Sequence, residues 1–324
     1  MSSLEADPEV GQPDASTTPA GVEVLDGAPV ALGGPRGLAV TRTLPSKHRR
    51  MVGAWCFLDA YGPHRLDRGP GMRVGPHPHI GLQTVSWLVA GEIVHRDSLG
   101  SRQEIRPGQL NLMTAGRGIS HSEETPATHG GVLQGVQLWV ALPGADRDVA
   151  PAFAQHARLP VLTDGGLTAT VLMGELAGAV SPARCYTPLL GAELTLAAGS
   201  GATVPLRPDF EYAALVVDGA ATVADVPARP GPLLYLGAGR TELRLAAAGP
   251  QTRLMLLGGE PFAERIVMWW NFVGRDHDEI VAARQAWEDR AGGGPFGTVR
   301  GYDGPDIPAP PMPITRLVAR GRTR

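Results

Sequence analysis

The chain has 324 residues, 43% of them apolar, with 29 Lys and Arg against 32 Asp and Glu and a formal net charge of −3. That balance gives no electrostatic case for a dedicated nucleic-acid binder, and no window approaches the roughly 18 consecutive apolar residues of a membrane span. Two cysteines, Cys56 and Cys185, are too few for a disulfide scaffold, and Met1 to Asp7 lack the basic start and apolar run of a signal peptide. A soluble, cytoplasmic protein is therefore expected.

The length predicts about two domains. Residues 1–21 are small, polar and proline-containing, and are predicted to be disordered. From about Val22 to Gly258 the text is a succession of short β-rich runs separated by Gly, Pro and Asp, which predicts sandwiches or barrels. We divide it into a first domain over 22–150 and a second over 151–275. The segment 276–324 is predicted to hold a helix capped by Asp278, with Ile280, Ala283 and Trp287 on one face and Gly292 to Gly294 at its end. A proline-rich and then basic tail follows.

Chemistry concentrates in the first domain. Pro76 to Gly81 contains His77-x-His79, and Gly118 to Glu123 contains His121-x-Glu123. A one-residue gap on a β-strand puts both side chains on the same face. Two such strands side by side aim imidazoles and a carboxylate at one point, which predicts a mononuclear metal site. The set suits Fe, Mn, Ni, Cu or Zn alike. Glu124 is turned to the opposite face by the same alternation.

The second domain repeats the pattern weakly. In the first, a strand from Val85 to Ala90 ends at Gly91, and a Pro107-Gly108 turn leads to Leu110. In the second, Leu215 to Asp218 ends at Gly219, and Pro230-Gly231 leads to Leu233. Where the first histidine pair stood, the second domain offers roughly Arg207 to Phe210, and the second pair has no counterpart. One barrel is expected to bind metal and the other not.

Several stretches together resemble the pirin family of bicupins. They are Arg42 to Pro45, Arg49 to Gly53, Phe57 to Asp59, Pro76 to Leu88, His95 to Gly100, Pro107-Gly108, Met113 to Glu123, Gly258 to Pro261 and Val267 to Trp270. The likeness covers about Val40 to Glu288. It implies an all-β chain of two cupin-type barrels (double-stranded β-helix, or jelly roll), plus the short C-terminal helix and tail. By position, the family's iron ligands fall on His77, His79, His121 and Glu123. Many cupins place a glutamate soon after His-x-His, but this chain has the neutral amide Gln83 there. The resemblance also implies Fe(2+), with another divalent transition metal as the alternative, and quercetin 2,3-dioxygenase activity on a flavonol-like or related enolic small molecule. Four protein ligands on an ion preferring six leave room for oxygen and a chelating substrate. Glu123 is then the candidate catalytic base. The family also includes regulators of transcription or metabolism that act through protein contacts without catalysis, which is the alternative function. A monomer is expected.

Other residues read as structural. His95 could orient a ligand, but a hydrogen-bonded structural histidine is the preferred reading. Arg117 holds a turn. Gly116 and Gly118 make no phosphate loop, because no helix opening with Lys-Ser or Lys-Thr follows. His48, His64, His129, His156 and His277 are assigned to the surface. Met113 and Trp87 line the barrel, Cys56 fills an apolar strand, and Trp269 and Trp270 pack the seam between domains. Arg49-Arg50 and the basic tail are too short for a nucleic-acid patch.

Overall fold

The computed structural model describes residues 15–18, 21–32, 38–66, 71–290 and 294–323. Among them the secondary structure is almost entirely strand, with one helix, His277–Glu288, and a short 3-10 turn at Gly294–Phe296.

Strands pair into two barrels of matching design. In the first, a seven-stranded sheet runs in the order Ala152–His156, Leu110–Thr114, Leu82–Ala90, Val132–Ala141, Trp55–Arg65, Leu38–Leu44, Ala28–Leu32. A four-stranded sheet faces it: Arg73–His79, Ile119–Glu124, Ile93–Asp97, Arg102–Ile105. The second barrel repeats this with Glu23–Leu25, Leu233–Ala238, Glu211–Asp218, Thr252–Gly259, Leu189–Leu196, Leu167–Leu176 and Val161–Asp164 over Gly201–Pro205, Glu242–Ala247, Ala221–Val223 and Val226–Ala228. The repeat legible in the sequence therefore occupies equivalent places: Leu82–Ala90 matches Glu211–Asp218, and Leu110–Thr114 matches Leu233–Ala238.

Two strands cross the division drawn at 150. Ala152–His156 pairs with Leu110–Thr114 of the first sheet, and Glu23–Leu25 pairs with Leu233–Ala238 of the second. The first sheet thus ends in the strand that directly follows Val132–Ala141, while the second takes a strand from ahead of the first barrel in the chain. Of the expected disordered start, Ala15–Thr17 form a strand against Glu23–Leu25; residues 1–14, 19 and 20 lie outside the described residues.

The strands at the seam are buried on both faces, which is why they read as continuous apolar runs rather than as alternation. One buried cluster takes Trp55, Val136 and Leu138 from the first barrel and Met173, Leu215 and Leu257 from the second. Burying each such side chain contributes roughly 1.5–3 kcal/mol. Polar groups are matched across the seam. The Trp55 indole N–H donates to the carbonyls of Leu190 and Gly258, and Trp87 donates to Glu193 Oε2 at 2.8 Å. Trp87 thus reaches across to the other barrel.

The inside of the second barrel is apolar. Where His77 lies opposite His121 in the first, Val204 lies opposite Leu243 in the second, with Leu245 opposite Val223, all four buried. Arg207 lies beyond the strand Gly201–Pro205, exposed and paired with Asp209, so it does not occupy the place of the histidines.

The helix starts two residues earlier than expected. Asp276 is its cap, accepting the Glu279 N–H at 3.0 Å. Both acids satisfy the capping pattern; Asp278 instead falls in the first turn and pairs with Arg316. Ile280, Ala283 and Trp287 do form the buried face. They meet Trp269, Trp270, Phe272 and Phe296 in a separate cluster, so the tryptophan pair packs under the helix rather than between the barrels. The helix is closed by Asp289; Gly292 lies outside the described residues. The tail packs back on the first barrel, with Ile307 N–H donating to Pro76 O and the Trp287 indole N–H to Ile307 O. Among the described residues no helix is long and apolar enough to cross a membrane.

Candidate metal centre

Arg73–His79 is an edge strand of the four-stranded sheet. An edge tolerates the missing N–H groups of Pro76 and Pro78, and the pleat turns His77 and His79 to one side. Its antiparallel neighbour Ile119–Glu124 places His121 directly opposite His77, and a bulge follows between His121 and Glu123. On the other side of that strand, Ile93–Asp97 sets His95 opposite Glu123 and Asp97 opposite His121. The ligand atoms of His77, His79 and His121 lie within 4.8 Å of one another. Glu123 belongs to an overlapping group with His95 and His121. All five side chains are buried.

Each of the three histidines has its Nδ1 occupied by an anchoring contact. His77 Nδ1 meets Gly75 O at 2.8 Å, His79 Nδ1 meets Asn271 O at 2.9 Å, and His121 Nδ1 meets His95 Nδ1 at 3.4 Å. A carbonyl can only accept, so His77 and His79 carry the proton on Nδ1 and keep a lone pair on Nε2. His79 Nε2 faces His121 Nε2 at 3.1 Å. Burial, reinforced by the neighbouring imidazoles, holds His79 and His121 well below the ordinary histidine range, and burial pushes His77 down to about 3. Neutral imidazole nitrogens converging in a buried site lack a proton to share among them. A cation is the partner such a donor set fits.

Glu123 is raised by burial, against the opposing influence of His95 and of the Ser86 hydroxyl that contacts Oε1 at 3.1 Å. Its neighbour Glu124 does turn away, to Arg96 and Arg73. Gln83 is buried, donating to Thr114 Oγ1 and Arg184 O while its Oε1 has no partner. Asn271 is likewise buried, with both side-chain polar atoms unpartnered. Arg117 is exposed, and its backbone N–H holds Val149 O. Burial raises the Cys56 thiol to about 12, which leaves it no role as a nucleophile.

Sequence reasoning gave no role to Asn271, Gly75, Ser86 or Asp97. Asp97 carried a signal, since His95-x-Asp97 repeats the one-residue gap of the other pairs. The carbonyl contacts carried none, because any residue supplies one.

Two family models match the chain: Pirin over residues 37–140 and the Pirin C-terminal cupin domain over 191–293. A Pseudomonas aeruginosa protein named "Putative quercetin 2,3-dioxygenase" is 49% identical over 279 residues, covering 86% of this chain and 87% of its own. A pirin-like protein of Caulobacter vibrioides is 40% identical, over 77% of this chain and 88% of its own. The crystal structure of a quercetin 2,3-dioxygenase from Acinetobacter baumannii superposes with a TM-score of 0.87 at 41% identity, covering 91% of this chain and 97% of that one.

Proposed function

The chain belongs to the pirin family, and from that membership we propose that its first barrel holds one divalent transition metal, iron(II) by preference, on His77, His79, His121 and Glu123, and that it cleaves a flavonol in the manner of a quercetin 2,3-dioxygenase. The observation that carries the metal reading is the convergence of three neutral, anchored imidazoles beside a buried carboxylate. The substrate class comes from relatives that bear the dioxygenase name over most of their length. A redox-active ion held by these residues would supply electron-transfer chemistry between an enolic substrate and O₂.

The residues of the chain have separate tasks. The carbonyls of Gly75 and Asn271 fix two imidazoles in orientation. The apolar walls, including Trp139 edge-on to His79 at 5.2 Å between centroids, exclude water. Glu123 is the group suited to take the proton of the substrate hydroxyl, because burial raises its proton affinity toward that of a working base. Its grouping with His95 and His121 leaves it at the side of the three-histidine cluster, where it can exchange a proton without dismantling the cluster.

The experiment is a metal analysis and an oxygenase assay on one preparation. Iron-loaded protein in air is expected to bleach the visible absorbance of quercetin. His121→Ala and His77→Ala are each expected to lose stoichiometric metal and the bleaching together. Stoichiometric iron retained in either variant overturns the ligand assignment. Metal uptake without bleaching, across iron, manganese, nickel and copper, overturns the oxygenase reading and favours a metal-dependent regulator acting through protein contacts. The near-complete burial of all four proposed ligands is the observation on that second reading's side.

A further inference from the structure

His95 and Asp97 form a buried pair behind the site. His95 Nε2 lies 3.2 Å from Asp97 Oδ2, and both side chains are almost wholly inaccessible. Asp97 is fixed in turn: its Oδ1 accepts the N–H groups of Leu99 and Ser101 at 2.9 and 3.0 Å. Burial would raise this carboxyl, but the hydrogen bonds from His95 and Ser101 outweigh it and hold Asp97 below its ordinary value. Phe153 stacks on the His95 ring at 4.3 Å and 14°, so the imidazole is clamped in plane as well as at its edge.

A carboxylate accepts and cannot donate, so His95 presents N–H at Nε2 toward Asp97, and the neutral ring then keeps a lone pair at Nδ1. That lone pair faces His121 Nδ1 at 3.4 Å. His121 must then carry its proton on Nδ1, leaving the Nε2 lone pair that faces His79. We propose that His95, polarised by Asp97, is the positioning residue that sets the tautomer and ring orientation of His121 for metal binding. His77 and His79 use backbone carbonyls for this task; His121 has a neighbouring imidazole backed by a carboxylate. A carboxylate beyond the acceptor strengthens it, as carboxylate–histidine pairs do behind metal-bound groups. This inference rests on the metal reading above and adds two residues that contact no substrate in it.

Three variants test the chain of bonds. His95→Leu removes the acceptor. His95→Gln restores one, because its carbonyl oxygen can accept from His121 while its amide N–H₂ donates to Asp97. Asp97→Asn keeps Oδ1 for the turn amides but places an N–H₂ against His95, which forces the opposite tautomer and sets one Nδ1–H against another. Cobalt(II) is the probe, read by competition titration and by its visible ligand-field spectrum on the full-length chain. We expect His95→Leu and Asp97→Asn to weaken cobalt binding about 10- to 100-fold and to alter the spectrum, and His95→Gln to recover most of both. The metal-free melting temperature of Asp97→Asn is expected to stay near wild type, which separates positioning from folding. Wild-type affinity and spectrum in both His95→Leu and Asp97→Asn overturn this inference alone. Two cobalt ions per wild-type chain, with only one left in His95→Leu, also overturn it, because His95 would then be a ligand of a second ion. A wild-type chain that takes up no cobalt or iron overturns both readings.

Discussion

Burial pushes His77 down to about 3 from an ordinary 6.5, and displaces His79 and His121 in the same direction. Each folded histidine stays neutral while its unfolded counterpart takes up a proton, so the unfolded state binds more protons as pH falls. The metal-free protein is therefore expected to keep this stability above about pH 6.5. Below that it should lose about 1.4 kcal/mol per pH unit for each such histidine until the folded value is reached. Glu123 works in the opposite sense. Its raised value favours the protonated folded form, so its contribution is present in acid and fades as pH rises through that value. Three histidines outweigh one carboxyl, and the melting temperature of metal-free protein should fall steadily from pH 7 to pH 5. A flat profile over that interval would show that the imidazoles are not buried neutral. The motif residues were all legible in the sequence, because a one-residue gap is enough to put His77 with His79, and His121 near Glu123, on one side of a strand.

Two tight turns carry the ligand strands, and they hold each other. The Gly81 N–H donates to Gly116 O at 2.9 Å. Both glycines have positive φ, 68° and 52°, and a Cβ at Gly116 would stand 1.9 Å from Val149 O. Gly116→Ala must therefore adopt a left-handed conformation and push the backbone of 149 aside. It is expected to lower stability by more than about 2 kcal/mol, read as a lower urea midpoint at unchanged slope, and to weaken metal binding because His121 follows on the displaced strand. A wild-type midpoint would refute the turn argument. At this scale the strands themselves were legible from turn residues and apolar runs, but the helix start was not. Asp276 and Asp278 both fit a cap, and the choice is made by which one the packed face of Ile280 and Trp287 leaves at the first turn.

The two barrels and the tail meet at Glu211, a wholly buried carboxylate. It accepts the Gly53 N–H from the first barrel and the Tyr235 hydroxyl within the second, each at 2.7 Å, and is paired with Arg322 of the tail. Glu211→Ala leaves the Gly53 N–H and the Tyr235 O–H without acceptors, at an expected cost of about 2–4 kcal/mol. The metal content of the folded protein should be unchanged, since the site lies in the other barrel. An unaltered melting temperature would mean the seam does not depend on this carboxylate.

Composition, strand density and the spacing of His77, His79, His121 and Glu123 determined an all-β chain of two like barrels with the candidate metal-binding side chains gathered in the first. Those are local properties: the pleat repeats every two residues wherever a strand forms, and turn residues mark its ends. Tertiary structure alone decided the rest. It brought the Asn271 carbonyl to His79 across 192 positions, laid Phe153 over His95, and carried Glu23–Leu25 across to the sheet of the second barrel. It also set Glu123 opposite His95 in a regular pairing, while a bulge that the sequence does not mark shifts Glu123 to Val74 on the strand of the histidine pair. Which strand lies next to which depends on the fit of whole buried faces, and no spacing within a single strand encodes that.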